Sequence, residues 1–490
     1  MTGLQTSSPR DVDRTVEPGV ASGEVADCES SPRHNPDRRG SLYHRRIVEV
    51  YRDLVPAGGR ILDVGCGDGD LLASLRPGRG VGVELDGDLV ERARRRHPDL
   101  ELVHADAHDP LPEGPWDVVV LSHAIGDFRD IQMVLRRVRA VCGPRTRVVV
   151  NTCSRVWTVP LRLVERLGLG RPHLGRAWLS PGDLESLMRL EGLEVFRTRS
   201  EILCPVGLPL VADLLNRVVV KFWPFHFAGL AHFAIARPEP ETPLAGAASR
   251  TPAPSVSVVV PVRNERGHLA EILDRLPAFD GPAEFIFVEG GSTDGTGATL
   301  ERLLAARGRD DVRMLRQPGT GKGDAVRTGF AAARHDVLMI LDGDLSVPPE
   351  FLPRFLEVVA SGRGEFVNGV RLVYPMERRA MRFMNLLFNA AFAALFSWVL
   401  GQRVKDTLCG TKAIRRVDYE RLAADRRRFG DDPFGDFDLL FGAAWLNLRI
   451  VDLPVRYAAR TYGRTNIHRW RHGWILLRML LSACRRFKFR

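Results

Sequence analysis

Ile61-Leu62-Asp63-Val64-Gly65-Cys66-Gly67-Asp68-Gly69 is the stretch from which the rest of this chain can be read. A short β-prone run gives way at once to three glycines at alternate positions. Such glycines let the backbone turn tightly and approach a ligand closely, because no Cβ intervenes. Working outward, residues 60–64, 80–85, 100–106, 116–122 and 147–151 read as strands, and residues 88–97 and 130–142 as helices between them. Strands alternating with helices predict a parallel sheet covered on both faces. Their apolar runs fit strands buried on both sides.

The pattern then starts again, with strands expected at residues 255–262, 284–290, 311–317 and 336–344. Between the two blocks, residues 238–254 are rich in Pro, Ala and Glu and read as a linker. Residues 1–40, rich in Ser, Pro, Asp and Arg, read as a disordered tail. The expected organisation is two doubly wound α/β domains, 41–237 and 255–490. A chain of 490 residues with 44% hydrophobic content can build two such cores. The net charge of +10 suits an anionic partner. Seven scattered cysteines, none in a CxxC pair, argue against zinc or redox motifs and fit a reducing cytosol. No apolar segment lies near the N-terminus, so no signal peptide is expected.

Open parallel sheets bind ligands at the carboxyl ends of their strands. There the first block places Asp63 and the glycine turn, Glu84 on the second strand, Asp106 after the third, and Ser122 and His123 on the fourth. A carboxylate at Glu84 can accept both hydroxyls of a ribose, and Asp106 can accept from an adenine amine. The turn is GxGxG rather than GxGxxG, which disfavours a nicotinamide dinucleotide. The combination resembles the class I S-adenosylmethionine (SAM)-dependent methyltransferases, with their Rossmann-like fold. The resemblance implies SAM as cofactor, with Asp63, Gly65 and Gly67 on its methionine side, Glu84 on the ribose, Asp106 on the adenine and Ser122 bordering the pocket. His123, Asp127 and residues 155–157 lie where a methyl acceptor would approach. Transfer to oxygen needs a base, and the sequence singles none out. The alternative is a module that binds SAM, or nothing, and regulates its neighbour.

The second block carries five features in order: Pro261-Val262-Arg263-Asn264-Glu265, Glu289-Gly290-Gly291-Ser292-Thr293-Asp294-Gly295-Thr296, Gly321-Lys322-Gly323-Asp324, Asp342-Gly343-Asp344 and Asp406 through Lys412. A departing sugar diphosphate is strongly anionic, and a divalent cation held by carboxylates neutralises it. Asp342 and Asp344 at the end of an apolar strand can hold such a cation. Lys322 at a helix start can reach phosphate oxygens. Glu265 and Glu289 can take a nucleobase imide or a ribose. The run GTGKGD is not a P-loop, since GxxxxGK[ST] is absent.

Taken together these motifs resemble the family 2 glycosyltransferases of the GT-A fold, across residues 255–490. Within that family the chain looks most like the dolichyl- or polyprenyl-phosphate glycosyltransferases, through Gly369-Val370-Arg371, Asp406, Gly410 and Lys412, and Tyr462-Gly463-Arg464-Thr465-Asn466. The resemblance implies a UDP- or GDP-sugar donor at Pro261, Asn264, Glu265, Glu289, Lys322 and Asp342. It implies Mg²⁺ or Mn²⁺ on Asp342 and Asp344, inversion at the anomeric carbon, and a polyprenyl-phosphate or glycan acceptor. The pair of aspartates usual before Gly-Ser is missing, since Gly291 stands there. A hydroxyl acceptor would need Asp436, or alternatively Asp438, as base. A phosphate acceptor would need none, and Arg371, Arg460 and Lys412 would hold it.

Residues 383–400 form an apolar run preceded by Arg378, Arg379 and Arg382, and residues 474–481 a shorter one leading into Arg485, Arg486, Lys488 and Arg490. Apolar helices with basic edges predict docking at a lipid interface, here the cytoplasmic face of the cell membrane. Nucleic acid is not expected as a partner: no Asn-Pro-Pro-Tyr-type motif follows the fourth strand, and no aromatic–basic stripe is present.

Overall fold

The computed structural model describes residues 42–160, 163, 179–205, 210–240, 253–371, 383–424, 432, 435–457 and 469–489, with side chains absent from the description at 383–390, 469–474 and 476. The expected tail 1–40, most of the expected linker, Arg378, Arg379, Arg382, Arg460, Tyr462 through Asn466 and Arg490 lie outside these residues.

Two seven-stranded sheets form the frame. The first comprises β1 (Arg60–Val64), β2 (Arg79–Glu84), β3 (Glu101–His104), β4 (Val118–Ser122), β5 (Arg147–Cys153), β6 (Leu193–Glu201) and β7 (Ala231–Pro238). Its order is β3-β2-β1-β4-β5-β7-β6, and β7 alone runs antiparallel to its neighbours. The second comprises β8 (Val256–Val262), β9 (Ala283–Glu289), β10 (Val312–Arg316), β11 (Val337–Ile340), β12 (Phe366–Val370), β13 (Lys412–Arg415) and β14 (Ile450–Pro454). Its order is β10-β9-β8-β11-β13-β12-β14, with β13 antiparallel to both neighbours. Both sheets therefore share the half in which chain order reverses beside the first strand, the switch point where ligands bind in open sheets. Neither sheet is wholly parallel, which departs from the expectation.

The apolar strands pack helices on both faces. Leu62, Val64, Val119 and Leu121 enter one core, and Ile61, Val118 and Val120 the opposite one. Val256, Val258, Val260 and Val259 divide in the same way in the second sheet. Helices appear where expected at Gly87–Arg96 and Ile131–Ala140. Asp86 and Asp130 cap them by accepting from backbone amides of the first turn. The apolar run at 383–400 is a helix, but its C-terminal half is core: Phe396 stacks on Phe441, and Val399 and Leu400 are buried with it.

The two sheets' domains meet through an arginine-rich contact. Arg147 Nε donates to the Asn447 carbonyl (2.8 Å), Arg197 to Asn447 Oδ1 (2.7 Å) and the Ala444 carbonyl (3.2 Å), and Arg237 to the carbonyls of Gly362 (2.8 Å) and Arg363 (2.7 Å). Asn447 Nδ2 returns a bond to the Leu54 carbonyl (2.9 Å). Carbonyls at the end of the helix Asp436–Trp445 are thus satisfied by the other domain.

Candidate functional sites

The first site lies beyond the carboxyl ends of β1, β2 and β4. Gly65, Gly67 and Gly69 all have positive φ, at 77°, 59° and 75°. A Cβ on Gly65 would strike Ala124, whereas Gly67 faces open space. Asp63 is 1% exposed, and neither carboxylate oxygen has a hydrogen-bond partner among the described residues. Burial, reinforced by the charge of Glu84, pushes its carboxyl up to about 7. A buried carboxylate left unpaired is costly, and a positive group placed beside it would offset that cost.

Glu84 fixes the turn. Its Oε2 accepts from the Gly67 amide (2.9 Å), and its Oε1 from the amides of Leu85 (2.9 Å) and Asp86 (3.1 Å). Asp106 accepts from the His108 amide (3.0 Å) and from His108 Nδ1 (2.5 Å). His108 Nε2 accepts from the Asp130 amide (3.1 Å), which assigns the proton to Nδ1. Burial opposes ionisation of Asp106, but the His108 bonds outweigh it and hold the carboxyl below its usual range.

Ser122 touches His123 Nδ1 (3.2 Å), and His123 takes a φ of +58°, uncommon for a residue with a Cβ. Tyr43 on the helix Leu42–Leu54 reaches His123 Nε2 at 2.5 Å, and Asn151 on β5 accepts from the His123 amide at 3.2 Å. Tyr51 holds Asn151 Oδ1 at 2.8 Å. The sequence reading missed Tyr43 and Asn151. Only the fold reveals them, since Tyr43 stands 80 residues before His123.

The second site lies beyond β8, β9 and β11. Asn264, at φ +57°, accepts from the Thr293 amide (2.9 Å) and so ties the β8 loop to the β9 loop. Glu289 Oε1 accepts from the Ser292 amide (2.6 Å); burial works against its charge, but this bond and that of Gly291 hold the carboxyl below its usual range. Glu265 is paired with His268 (2.8 Å). Pro261, one residue before the end of β8, lays its carbonyl against Gly343, where a Cβ would lie 2.8 Å away. β11 stops at Ile340, so Asp342 and Asp344 both sit in the turn beyond it rather than one on the strand. Asp344 Oδ1 accepts from the Ser346 amide (3.0 Å).

Lys322, expected to reach phosphate oxygens, is engaged by carboxylates of its own chain. Its ammonium pairs with Asp342 (2.6 Å) and lies 3.5 Å from Asp436. Burial alone would lower its affinity for a proton; Asp342, Asp436 and Asp344 outweigh that and raise it. Gly410 closes over this group, and a Cβ there would collide with both the ammonium and Asp342. Asp436 begins the helix Asp436–Trp445; burial raises its carboxyl while Lys322 and Lys412 pull it down. Asp432, not singled out by the sequence reading, accepts from the amides of Phe437 (2.8 Å) and Asp438 (3.1 Å), the bonds of an N-terminal cap.

Arg371 and Lys412, expected to hold an acceptor phosphate, are likewise engaged within the protein. Arg371 makes a two-pronged bond to buried Asp406, at 2.7 and 2.9 Å. The Lys412 ammonium, 1% exposed, donates to Asn368 Oδ1 and the Cys409 carbonyl, both at 2.8 Å. Buried cations must find partners inside the protein, and these have. Among the described residues no three His, Cys, Asp or Glu side chains form a ready metal cage. The donor set still suits a hard cation: magnesium sites use one or two carboxylates and leave the rest to substrate phosphates and water.

Comparison with known proteins gives two matches. Residues 38–198 match the model of a methyltransferase domain, and residues 257–422 the model of glycosyl transferase family 2. The chain thus carries both domains. It is 33% identical over 215 residues to an undecaprenyl-phosphate 4-deoxy-4-formamido-L-arabinose transferase of Sodalis glossinidius, covering 42% of this chain and 61% of that protein. It is 28% identical to a dolichyl-phosphate hexose transferase of Haloferax volcanii, covering 47% of this chain and 93% of that protein. Among solved structures, a SAM-dependent methyltransferase of Mesorhizobium loti aligns with a TM-score of 0.31 and 19% identity, over 39% of this chain and 96% of that one.

Proposed function

From a methyltransferase domain and a family 2 glycosyltransferase domain in one chain, we propose a bifunctional enzyme that transfers a sugar from a UDP- or GDP-sugar to a polyprenyl-phosphate or glycan acceptor and methylates the same or a related product. The division into residues 41–237 and 255–490 belongs to this reading. So does peripheral attachment at the cytoplasmic face of the membrane; no helix among the described residues is long and apolar enough to cross one.

The observation that carries the reading is the group formed by Asp342, Asp344, Asp436 and Lys322 under Gly410. It concentrates acidic oxygens around a single positive charge at a switch point of the sheet. Asp342 and Asp344 would hold Mg²⁺ or Mn²⁺, which would supply charge neutralisation for the departing diphosphate. Lys322, released from Asp342, is placed to meet phosphate oxygens. Asn264, Glu265 and Glu289 line the nucleoside side, with Pro261 keeping that loop against Gly343. Asp436, raised by burial, is suited to accept a proton from a hydroxyl acceptor. With a phosphate acceptor it orients Lys322 instead, while Arg371 and Lys412 keep the cleft wall positive. In the first domain Asp63 would receive the ammonium of SAM, which supplies the methyl group.

The test is a panel of UDP- and GDP-sugars assayed for manganese-dependent transfer to polyprenyl phosphate. Asp344→Asn should abolish transfer without lowering the melting temperature. Undiminished transfer by that variant, or transfer indifferent to a chelator, refutes the metal role.

A further inference from the structure

Between β6 and β7, residues 210–230 of the first domain form an excursion that its sheet does not require. It contains the helix Val211–Arg217 and two short turns, Val219–Lys221 and Phe225–Ala228. Large apolar side chains point out of it: Leu210 is 85% exposed, Trp223 77% and Phe227 59%, with Leu214 and Phe225 also exposed. Scattered apolar residues are normal on a surface, but several on one short segment are not.

The segment is firmly held. Lys221 lies buried on Glu201, which also binds Arg46 and Arg199. The Trp157 indole donates to the Ala228 carbonyl (2.7 Å). Phe222 stacks on Trp398 of the helix Phe383–Leu400 (5.2 Å) and faces Phe489 (6.3 Å) just after the C-terminal helix Arg469–Phe487. The Trp398 indole donates to the Lys221 carbonyl (3.0 Å). The apolar segment therefore adjoins the end of a helix that exposes Leu477 and Leu481 beside Arg478, Arg485 and Arg486. Arg217 on the segment itself is partly exposed and shared between Glu49 (3.7 Å) and Asp213 (3.4 Å).

The geometry points to this excursion as a membrane-docking element of the methyltransferase domain, fitted to an anionic phospholipid surface. Trp and Phe on a rigid, exposed turn enter the headgroup boundary, and the neighbouring arginines meet lipid phosphates. The inference goes beyond the proposed function, which assigns lipid contact to no element of the first domain, and it does not require sugar transfer to occur.

The experiment is flotation of the full-length chain with vesicles of equimolar phosphatidylglycerol and phosphatidylcholine, against vesicles of phosphatidylcholine alone. Wild type should float with the anionic vesicles. The double variant Trp223→Ser, Phe227→Ser should lose about tenfold or more of that partitioning, as expected from removing two inserted aromatic groups, with its melting temperature and its stabilisation by SAM unchanged. Three outcomes overturn the inference. In the first, wild type does not float. In the second, the double variant floats as wild type does while Arg478→Glu, Arg485→Glu does not, which confines the contact to the C-terminal helix and leaves the proposed function standing. In the third, light scattering finds a dimer that the double variant converts to monomer, which assigns the patch to a second copy.

Discussion

The two clefts stand at equivalent points of two sheets, yet they handle charge in opposite ways. Asp63 is buried with no hydrogen-bond partner among the described residues, and burial lifts its carboxyl to about 7. Asp342 and Asp436 instead gather round Lys322, a cation of their own chain. One cleft leaves a carboxylate unsatisfied among the described residues, and the other sets its carboxylates around a cation of its own. Ligand-free stability and ligand affinity should therefore respond with opposite signs to neutralising each group.

The largest effect should come from Gly410→Ala, because the added Cβ collides with both Lys322 and Asp342. Sugar transfer should fall by about a hundredfold or more, as for a misplaced catalytic group, while SAM-induced stabilisation stays intact. Loss of both would show that the clefts are not independent. Next comes a paired measurement. Lys322→Met leaves carboxylates uncompensated and should destabilise the ligand-free protein by about 2 kcal/mol, a value discounted for the partial exposure of the pair. Asp63→Asn removes an unpaired buried charge, so at pH 8 the ligand-free protein should melt no lower than wild type, while SAM binding weakens by about tenfold to a hundredfold. Equal destabilisation by both variants would erase the contrast.

The pH dependence sharpens the same point. The folded carboxyl of Asp63, near 7, lies above its unfolded value of about 4. Its cost to stability is absent below about pH 4 and complete above about pH 7, reaching about 4 kcal/mol at most. The difference in melting temperature between wild type and Asp63→Asn should grow across that window. SAM affinity should decline as pH falls below about 7, because protonation removes the charge that an ammonium would meet. A pH-independent difference would contradict the burial of that charge. The smallest effect is Gly67→Ala. Space is open there, but φ is +59°, so the left-handed backbone alone should cost about 1 kcal/mol in a denaturant titration.

Much of this was legible before the fold was known. The strand–turn–helix pattern around Asp63 and the apolar run ending at Asp342 place both clefts, because hydrophobic periodicity and glycine punctuation are local signals. The strands β6, β7, β12, β13 and β14 were not legible. They are short or mixed in polarity, and their partners lie far along the chain. The helix at 383–400 was read as an interfacial element from its composition. Half of it is core, because Phe437 and Phe441 arrive to cover it.

Sequence by itself determined which residues could carry chemistry: the glycines that must turn, the acids at strand ends, and the lysine at a helix start. Tertiary structure alone decided which charges are already spent. Lys322 on Asp342, Arg371 on Asp406, and Lys412 on Asn368 are pairings across long stretches of chain. So is the capping of the Asp436–Trp445 helix by Arg197, together with the Arg147 bond to the Asn447 carbonyl just beyond it, both from the other domain. A buried charge takes whatever partner the packing brings within reach, and no local pattern encodes that partner.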